Sequence, residues 1–288
     1  MPEGDAIFRT ARTLHRALAG HEVVRFESVL PALTRVHEDT PITGRTIESV
    51  AAAGKHVMVR FSGGLVLRTH MRMSGSWHIY RPGETWQRPR RDMRVLVATK
   101  GFEAVGFNVP VAEFLMPAEL ARHDDLRLMG PDLLGERFDA GEAVRRFRGR
   151  SALEIAEALL NQRIAAGVGN IYKSEVLFLC GVNPFAPVER LTDETLREIL
   201  ATARKHLKAN VADPKGGITT YHGYRRGAGG DASERRYVYG RARKPCRKCG
   251  AWHPVSHYYK RADGISSRCR ACSIASAVDD KRKRRKPR

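Results

Sequence analysis

Four cysteines, Cys246, Cys249, Cys269 and Cys272, form two C-x2-C pairs with 19 residues between them. Tetrahedral thiolate ligation of Zn²⁺ asks for two such knuckles, so the set points to one structural zinc ion. Four thiolates fill the coordination shell, which leaves no open position for a zinc hydrolase or nuclease. His253 and His257 lie between the pairs and could replace a cysteine, but read more simply as loop histidines. The fifth cysteine, Cys180, ends an apolar stretch and reads as a small buried hydrophobe. A second reactive group stands at the chain start, MPEGD. Trimming of Met1 before the small Pro2 would expose a secondary amine. An α-amino group titrates near about 7.7–8.0, against about 10.4 for lysine, so a useful fraction is a nucleophile for an aldehyde at neutral pH. Glu3 beside it can shuttle protons if the site withdraws it from water. Without further context the same residues are a frayed end.

Other elements must position these groups. In SALEIAEALLNQRIAAGVGNIYKSEVLFLCG, two helices flank RIAAGVGN, a link with room for two successive turns and longer than that of an ordinary helix-turn-helix. Gly167 and Gly169 let the backbone approach a ligand, and Asn170 stands where it can cap a helix from Ile171, turning amides toward a phosphate. An αα-corner whose glycines and asparagine serve only the fold fits the spacing equally well. Ile7, Phe8, Ala11, Leu14 and Leu18 predict a helix over 5–18 with Gly20 beyond its end. Alternating segments such as HVMVRF, LVLRTHM and RVLVAT predict mostly antiparallel strands to about residue 115, closing into a sandwich or barrel. The expected organisation is an N-terminal domain over 1–120, a linker over 121–135 and a helical domain over 136–213. A glycine-rich mobile loop over 214–245, a finger over 246–272 and a disordered basic tail over 273–288 follow.

The chain has 288 residues, and 51 basic against 31 acidic side chains give a formal charge of +20. A polyanionic partner is the first expectation, and nucleic acid stands ahead of membrane. The opening residues do not read as a secretory signal and no segment is apolar enough to span a bilayer. The expectation is a soluble, cytoplasmic, nucleoid-associated protein, monomeric by default.

Taken in order, MPEGD, AAGKHV, THMRMSGSW, LLNQRIAAGVGNIYKSEVLF, PKGG, YVYGR and the four cysteines resemble the formamidopyrimidine-DNA glycosylase and endonuclease VIII family. The PEG start lies closer to the endonuclease VIII branch. The resemblance implies an α+β chain of two domains. These are an N-terminal two-layered β-sandwich with flanking helices and a C-terminal helix-two-turns-helix domain with a four-cysteine zinc finger, with DNA in the cleft between. It implies a bifunctional DNA glycosylase and apurinic/apyrimidinic lyase of base excision repair. The partner would be double-stranded or bubble DNA containing damaged bases, pyrimidines favoured, or abasic sites. By the same resemblance Pro2 is the Schiff-base nucleophile, Glu3 the proton donor and acceptor, and Lys55 a phosphate-contacting lysine that assists elimination; on its own, Lys55 reads as an exposed turn lysine. Asn170 with Gly169 would hold the DNA backbone, Met73 would fill the gap left by the extruded base with Arg72 beside it, and His70 and Arg241 would lie near the backbone.

Two departures stand out. NVPVAEF at 108–114 has neither an Arg nor a Phe placed where the formamidopyrimidine branch uses them at the opposite strand, so recognition of 8-oxoguanine opposite cytosine is not implied. Gly264 stands where the family finger has an arginine, with Arg261 and Arg268 the nearest substitutes. The rival reading is a DNA- or RNA-binding protein that kept clamp and finger without chemistry.

Overall fold

A computed structural model describes residues 2–213, 217–221, 223, 231–241, 244–245 and 247–248, and the backbone of 258–261 and 264–269. The chain divides into two compact units, Met1–Leu134 and Gly135–Arg288.

The first unit opens with helix α1 (Gly4–Leu18), whose Ile7, Ala11, Leu14 and Leu18 form one buried stripe. Gly20, at φ +82°, follows its end as expected. Strand β1 (Arg25–Ser28), helix α2 (Pro31–Asp39) and strands β2 (Ile47–Ala53), β3 (His56–Phe61) and β4 (Val66–His70) come next. Strands β5 (Ser76–Tyr80), β6 (Met93–Ala98), β7 (Glu103–Phe107) and β8 (Val111–Leu115) complete the sandwich, and two short helices, α3 (Pro117–Arg122) and α4 (Asp124–Arg127), follow. The strands form two four-stranded antiparallel sheets, ordered β1-β6-β7-β5 and β2-β3-β4-β8. Helix α2 interrupts the strand run expected from sequence. Pro31 opens it without losing a hydrogen bond, and Leu33 alone is buried, too little for a helical period to show.

Alternation decides which side chains meet. Val57 pairs with Thr69 and Val59 with Leu67, and these valines and Leu67 join Ile7, Leu14, Val95 and Val97 in the main core. Leu96 points the other way, into a smaller cluster with Tyr80, Met93 and Phe107. Opposite the main core, the β3-β4-β8 sheet carries a polar row in which Met58 pairs with Arg68, Arg68 with Glu113, and His56 with His70.

The second unit contains α5 (Ala140–Arg148), α6 (Ile155–Leu160), α7 (Asn170–Leu179), α8 (Asp193–Ala212) and an antiparallel pair, β9 (Tyr258–Arg261) with β10 (Gly264–Cys269). Asp139 caps α5 by accepting from the Glu142 amide at 2.8 Å, and Thr192 caps α8 by accepting from Thr195 at 3.2 Å. Glu175 on α7 is fully buried. Its two oxygens accept from the backbone amides of Tyr237, Val238 and Tyr239 at 2.7, 2.9 and 2.7 Å and from the Thr220 hydroxyl. Asn210 accepts from the Thr219 amide at 3.0 Å. Among the described parts of 214–245, residues 219–220 and 237–239 are fastened to helices by side chains distant in sequence. No helix among the described residues is long and apolar enough to cross a membrane.

Replacing Glu175 with Gln would turn one acceptor into an NH₂ facing amide donors. Glu175→Gln should destabilise the second unit by about 3 kcal/mol, read as faster hydrogen exchange at 217–221 and 231–241 with the first unit unchanged.

Candidate active site and nucleic-acid interface

Pro2 is half-buried and precedes the helix cap. Glu3 is that cap, extended at φ −108°, and its carbonyl accepts from Ile7 at 3.1 Å. Its side chain does not cap the helix and is only 1% exposed, the dry setting that proton shuttling requires. Asp5, also buried, pairs with Arg9 at 3.1 Å. Gly54 and Lys55 form the two-residue connection between β2 and β3, with Gly54 at φ +56° where such a turn asks for glycine. The Gly54 amide donates to Asp132 Oδ2 at 2.8 Å, and Asp132 Oδ1 accepts from the Leu134 amide at 2.8 Å. Lys55 is not the exposed turn lysine that its position in a hairpin suggests, being 9% exposed. Burial pulls its pKa below the ordinary lysine value, and the nearby Glu3 charge partly restores it. Residues 3 and 55 are thus linked: the hairpin tip lies within electrostatic reach of the start of α1.

His70 ends β4, its ring 4.8 Å from that of His56. Its Nδ1 accepts from the Arg72 amide at 3.1 Å, which holds the following turn. Arg72 there has φ +44°, in the left-handed region, and Met73 is 71% exposed. Gly75 closes the turn where a Cβ would lie 2.7 Å from the Met71 carbonyl oxygen. Burial first, then the Arg68, Arg72 and Lys55 charges, lower the His70 pKa. Beneath lies buried Arg68, paired with Glu113 and with Asp125 at 2.7 Å and beside His123 Nε2 at 3.2 Å. Burial, with Arg68, His70 and His123 against Asp125, pushes His56 down to about 3. Its buried Nδ1 has no hydrogen-bond partner among the described residues. Of this network the sequence indicated His70 alone; Arg68, two residues before it on β4, and His56, its cross-strand partner on β3, were not singled out.

In the second unit, residues 161–169 make two turns between α6 and α7. Gln162 staples them: Nε2 donates to the Leu160 and Val168 carbonyls at 2.7 and 3.1 Å, and Oε1 accepts from the Gly167 amide at 3.0 Å. The Gly167 amide is therefore engaged within the fold. Gly167 has φ +113°, which explains glycine there. Asn170 is not a cap. It is the first residue of α7 after Gly169, is exposed, and accepts from Lys173 Nζ at 3.0 Å. The Arg241 side chain is 8% exposed, reaching Glu234 at 3.4 Å and the Pro245 carbonyl at 3.1 Å. Arg261 ends β9, and Arg268 and Cys269 close β10. Cys246, Cys249 and Cys272 lie outside the described residues, as does the tail. Among the described residues no three His, Cys, Asp or Glu side chains cluster as metal ligands. Burial pushes the Cys180 thiol up to about 11, in keeping with an inert thiol.

An antiparallel sandwich followed by a helix-two-turns-helix unit is the fold of the DNA glycosylases to which the chain compares. It superposes on formamidopyrimidine-DNA glycosylase of Lactococcus lactis, solved non-covalently bound to DNA containing an abasic site, with a TM-score of 0.75 at 21% identity, covering 94% of this chain and 99% of that one. Residues 1–109 match the formamidopyrimidine-DNA glycosylase N-terminal domain and 129–222 the helix-two-turns-helix domain. Probable endonuclease 8 2 of Streptomyces coelicolor is 39% identical, covering 96% of this chain and 95% of its own. DNA-(apurinic or apyrimidinic site) lyase Nei2 of Mycolicibacterium smegmatis is 32% identical, covering 96% and 100%. The chain belongs to the formamidopyrimidine-DNA glycosylase and endonuclease VIII family.

A native state that keeps His56 neutral loses stability on acidification. Below about pH 6.5 the unfolded chain takes up a proton that the folded chain refuses until about pH 3. Wild type should therefore lose about 2 kcal/mol more than His56→Gln between pH 6.5 and 5 in urea melts. Gly75→Ala should cost about 1–3 kcal/mol in the same assay, because the backbone must move to admit the methyl group.

Proposed function

We propose that this chain is a bifunctional DNA glycosylase and apurinic/apyrimidinic lyase that excises oxidised bases, pyrimidines in preference, through the amine of Pro2. The observation that carries the reading is Lys55, withdrawn from water and electrostatically coupled to buried Glu3 at the chain start.

The nucleotide first leaves the duplex, and the exposed Met73 on its constrained turn is suited to enter the space behind it. The Pro2 nitrogen lone pair then forms a bond to C1′. The glycosidic bond breaks, its electron pair leaving with the base, which takes up a proton as the alkylated Pro2 nitrogen gives up its own N–H proton. Glu3 protonates the ring oxygen, the C1′–O4′ bond opens, and an iminium results. That electron sink acidifies the C2′ proton. Its removal gives the C1′=C2′ enamine, whose electrons then form the C2′=C3′ bond and restore the iminium as the C3′–O3′ bond breaks and the 3′ phosphate leaves, and water finally releases the sugar from Pro2. Lys55 holds its proton less firmly than an exposed lysine, which supports assigning it the donation of that proton to a leaving group. Asn170 and Gly169 at the start of α7, with His70 and Arg72, are assigned to the DNA backbone around the lesion, and Arg241, Arg261 or Arg268 to the finger's contribution.

One Zn²⁺ held by Cys246, Cys249, Cys269 and Cys272 completes the reading. Cys269 ends β10 opposite Tyr258, a hairpin end of the sort a zinc knuckle closes. The ion supplies structural cross-linking when bound, and four thiolates leave it no catalytic position.

Borohydride should trap a covalent adduct with DNA carrying an abasic site or 5-hydroxyuracil, provided mass spectrometry shows Pro2 at the terminus. Lys55→Ala should slow strand cleavage at least about 10²-fold. Equal trapping by a chain with an uncleaved extension before Pro2 would overturn the assignment.

A further inference from the structure

The polar face of the β3-β4-β8 sheet buries a charge that the proposed chemistry does not use. Arg68 lies two residues before His70 on β4, so both side chains stand on that face. Only 4% of the Arg68 side chain is exposed, whereas its partners Glu113 on β8 and Asp125 on α4 keep 35% and 61% of theirs. Glu113 also lies 3.0 Å from His123 Nε2. The cation is therefore dry and the anions that hold it are wet. Water screens the carboxylates and leaves the field of the guanidinium to act along the face. A buried ion pair adds little stability over apolar side chains of the same volume, so stability alone does not account for an arginine at this position.

His70 shows what that field acts on. Its Nδ1 accepts from the Arg72 amide at 3.1 Å, which only a neutral ring protonated on Nε2 can do, because an imidazolium carries hydrogen on both nitrogens. The bond holds Arg72 at φ +44° and with it the turn that presents Met73. Around the ring stand Arg68 on its own strand, His56 across on β3, Lys55 at the hairpin tip, Arg72 in the turn and Asp125 on α4, while Glu113 on β8 is taken up by Arg68 and His123. Burial first, then Arg68, Arg72 and Lys55, lower the His70 pKa against the opposing pull of Asp125. His56, held down to about 3, adds no charge beside it near neutral pH. We propose that Arg68 is a positioning residue: its buried guanidinium keeps His70 an acceptor, and through the Arg72 amide it holds the Met73 turn in the shape that enters DNA. This rests on the proposed reading of Met73. Glu113 and Asp125 fix where the charge sits.

The test is a histidine titration of the full chain by nitrogen-15 NMR, with borohydride trapping on abasic DNA followed across the same pH range. Arg68→Met should move the His70 titration to higher pH and speed hydrogen exchange of the Arg72 amide. At about pH 6, just below the ordinary histidine value, it should slow trapping about tenfold relative to wild type. Arg68→Lys keeps the charge and should return the His70 titration to near its wild-type position. Asp125→Asn removes a charge that favours the imidazolium from an exposed site on α4. It should move the titration the other way, to lower pH, and it decides the matter if Arg68→Met does not fold. An unmoved titration in either variant, shifts of the same sign in both, or a shifted titration with an unchanged trapping profile overturns the positioning role. Wild type that shows the expected His70 titration but is trapped at no pH overturns the lyase reading and leaves the hold on the turn standing.

Discussion

A lysine in water is protonated and bound to its own hydration shell. Lys55 is held out of water by a turn with no slack, and much of the first unit can be understood as the means of holding it there. The hairpin has two residues, its first at a conformation glycine tolerates, and its amide is tied to Asp132 nearly eighty positions away. Glu3 reaches the same place because α1 buries an apolar stripe on β2 and β3, which fixes where the helix begins. The sandwich core thus sets the positions of a carboxylate and an amine that come from opposite ends of the sheet's first hairpin and the leading helix. Their coupling is electrostatic, and it offsets part of the burial that lowers the Lys55 pKa.

The second unit reaches order by a different route. Its irregular segments are organised by buried side chains acting as acceptors: Glu175 for residues 237–239 and Thr220, Gln162 for Gly167, Asn210 for Thr219. A buried carboxylate is costly unless its oxygens are satisfied, and Glu175 is satisfied by four donors from the loop it orders. Helix α7 therefore carries the exposed Asn170 on its first turn and the anchor of the following loop little more than a turn later.

The strongly periodic elements were legible in the sequence. Helix α8 spans Asp193–Ala212 as DETLREILATARKHLKANVA reads, and α1 begins one residue earlier than its apolar stripe suggests. Helix α2 was not legible because one buried leucine makes no period. The burial of Lys55 could not be read either, since hairpin residues are exposed by default and only the packing of distant segments decides otherwise. The same holds for Gln162 and Glu175, whose partners are backbone groups that carry no residue signature. The departure at 108–114 was visible in the residues themselves, which include no Arg and a Phe only at 114.

The turn that presents Met73 bears on how such a protein would sort intact from damaged duplex. Arg72 sits in a left-handed conformation, His70 clasps its amide, and Gly75 is walled in by the backbone, so the tip has little compliance of its own. When a rigid probe presses on a softer column, the column yields first. On the proposed reading, a tip held in this way would meet a base step without first rearranging itself.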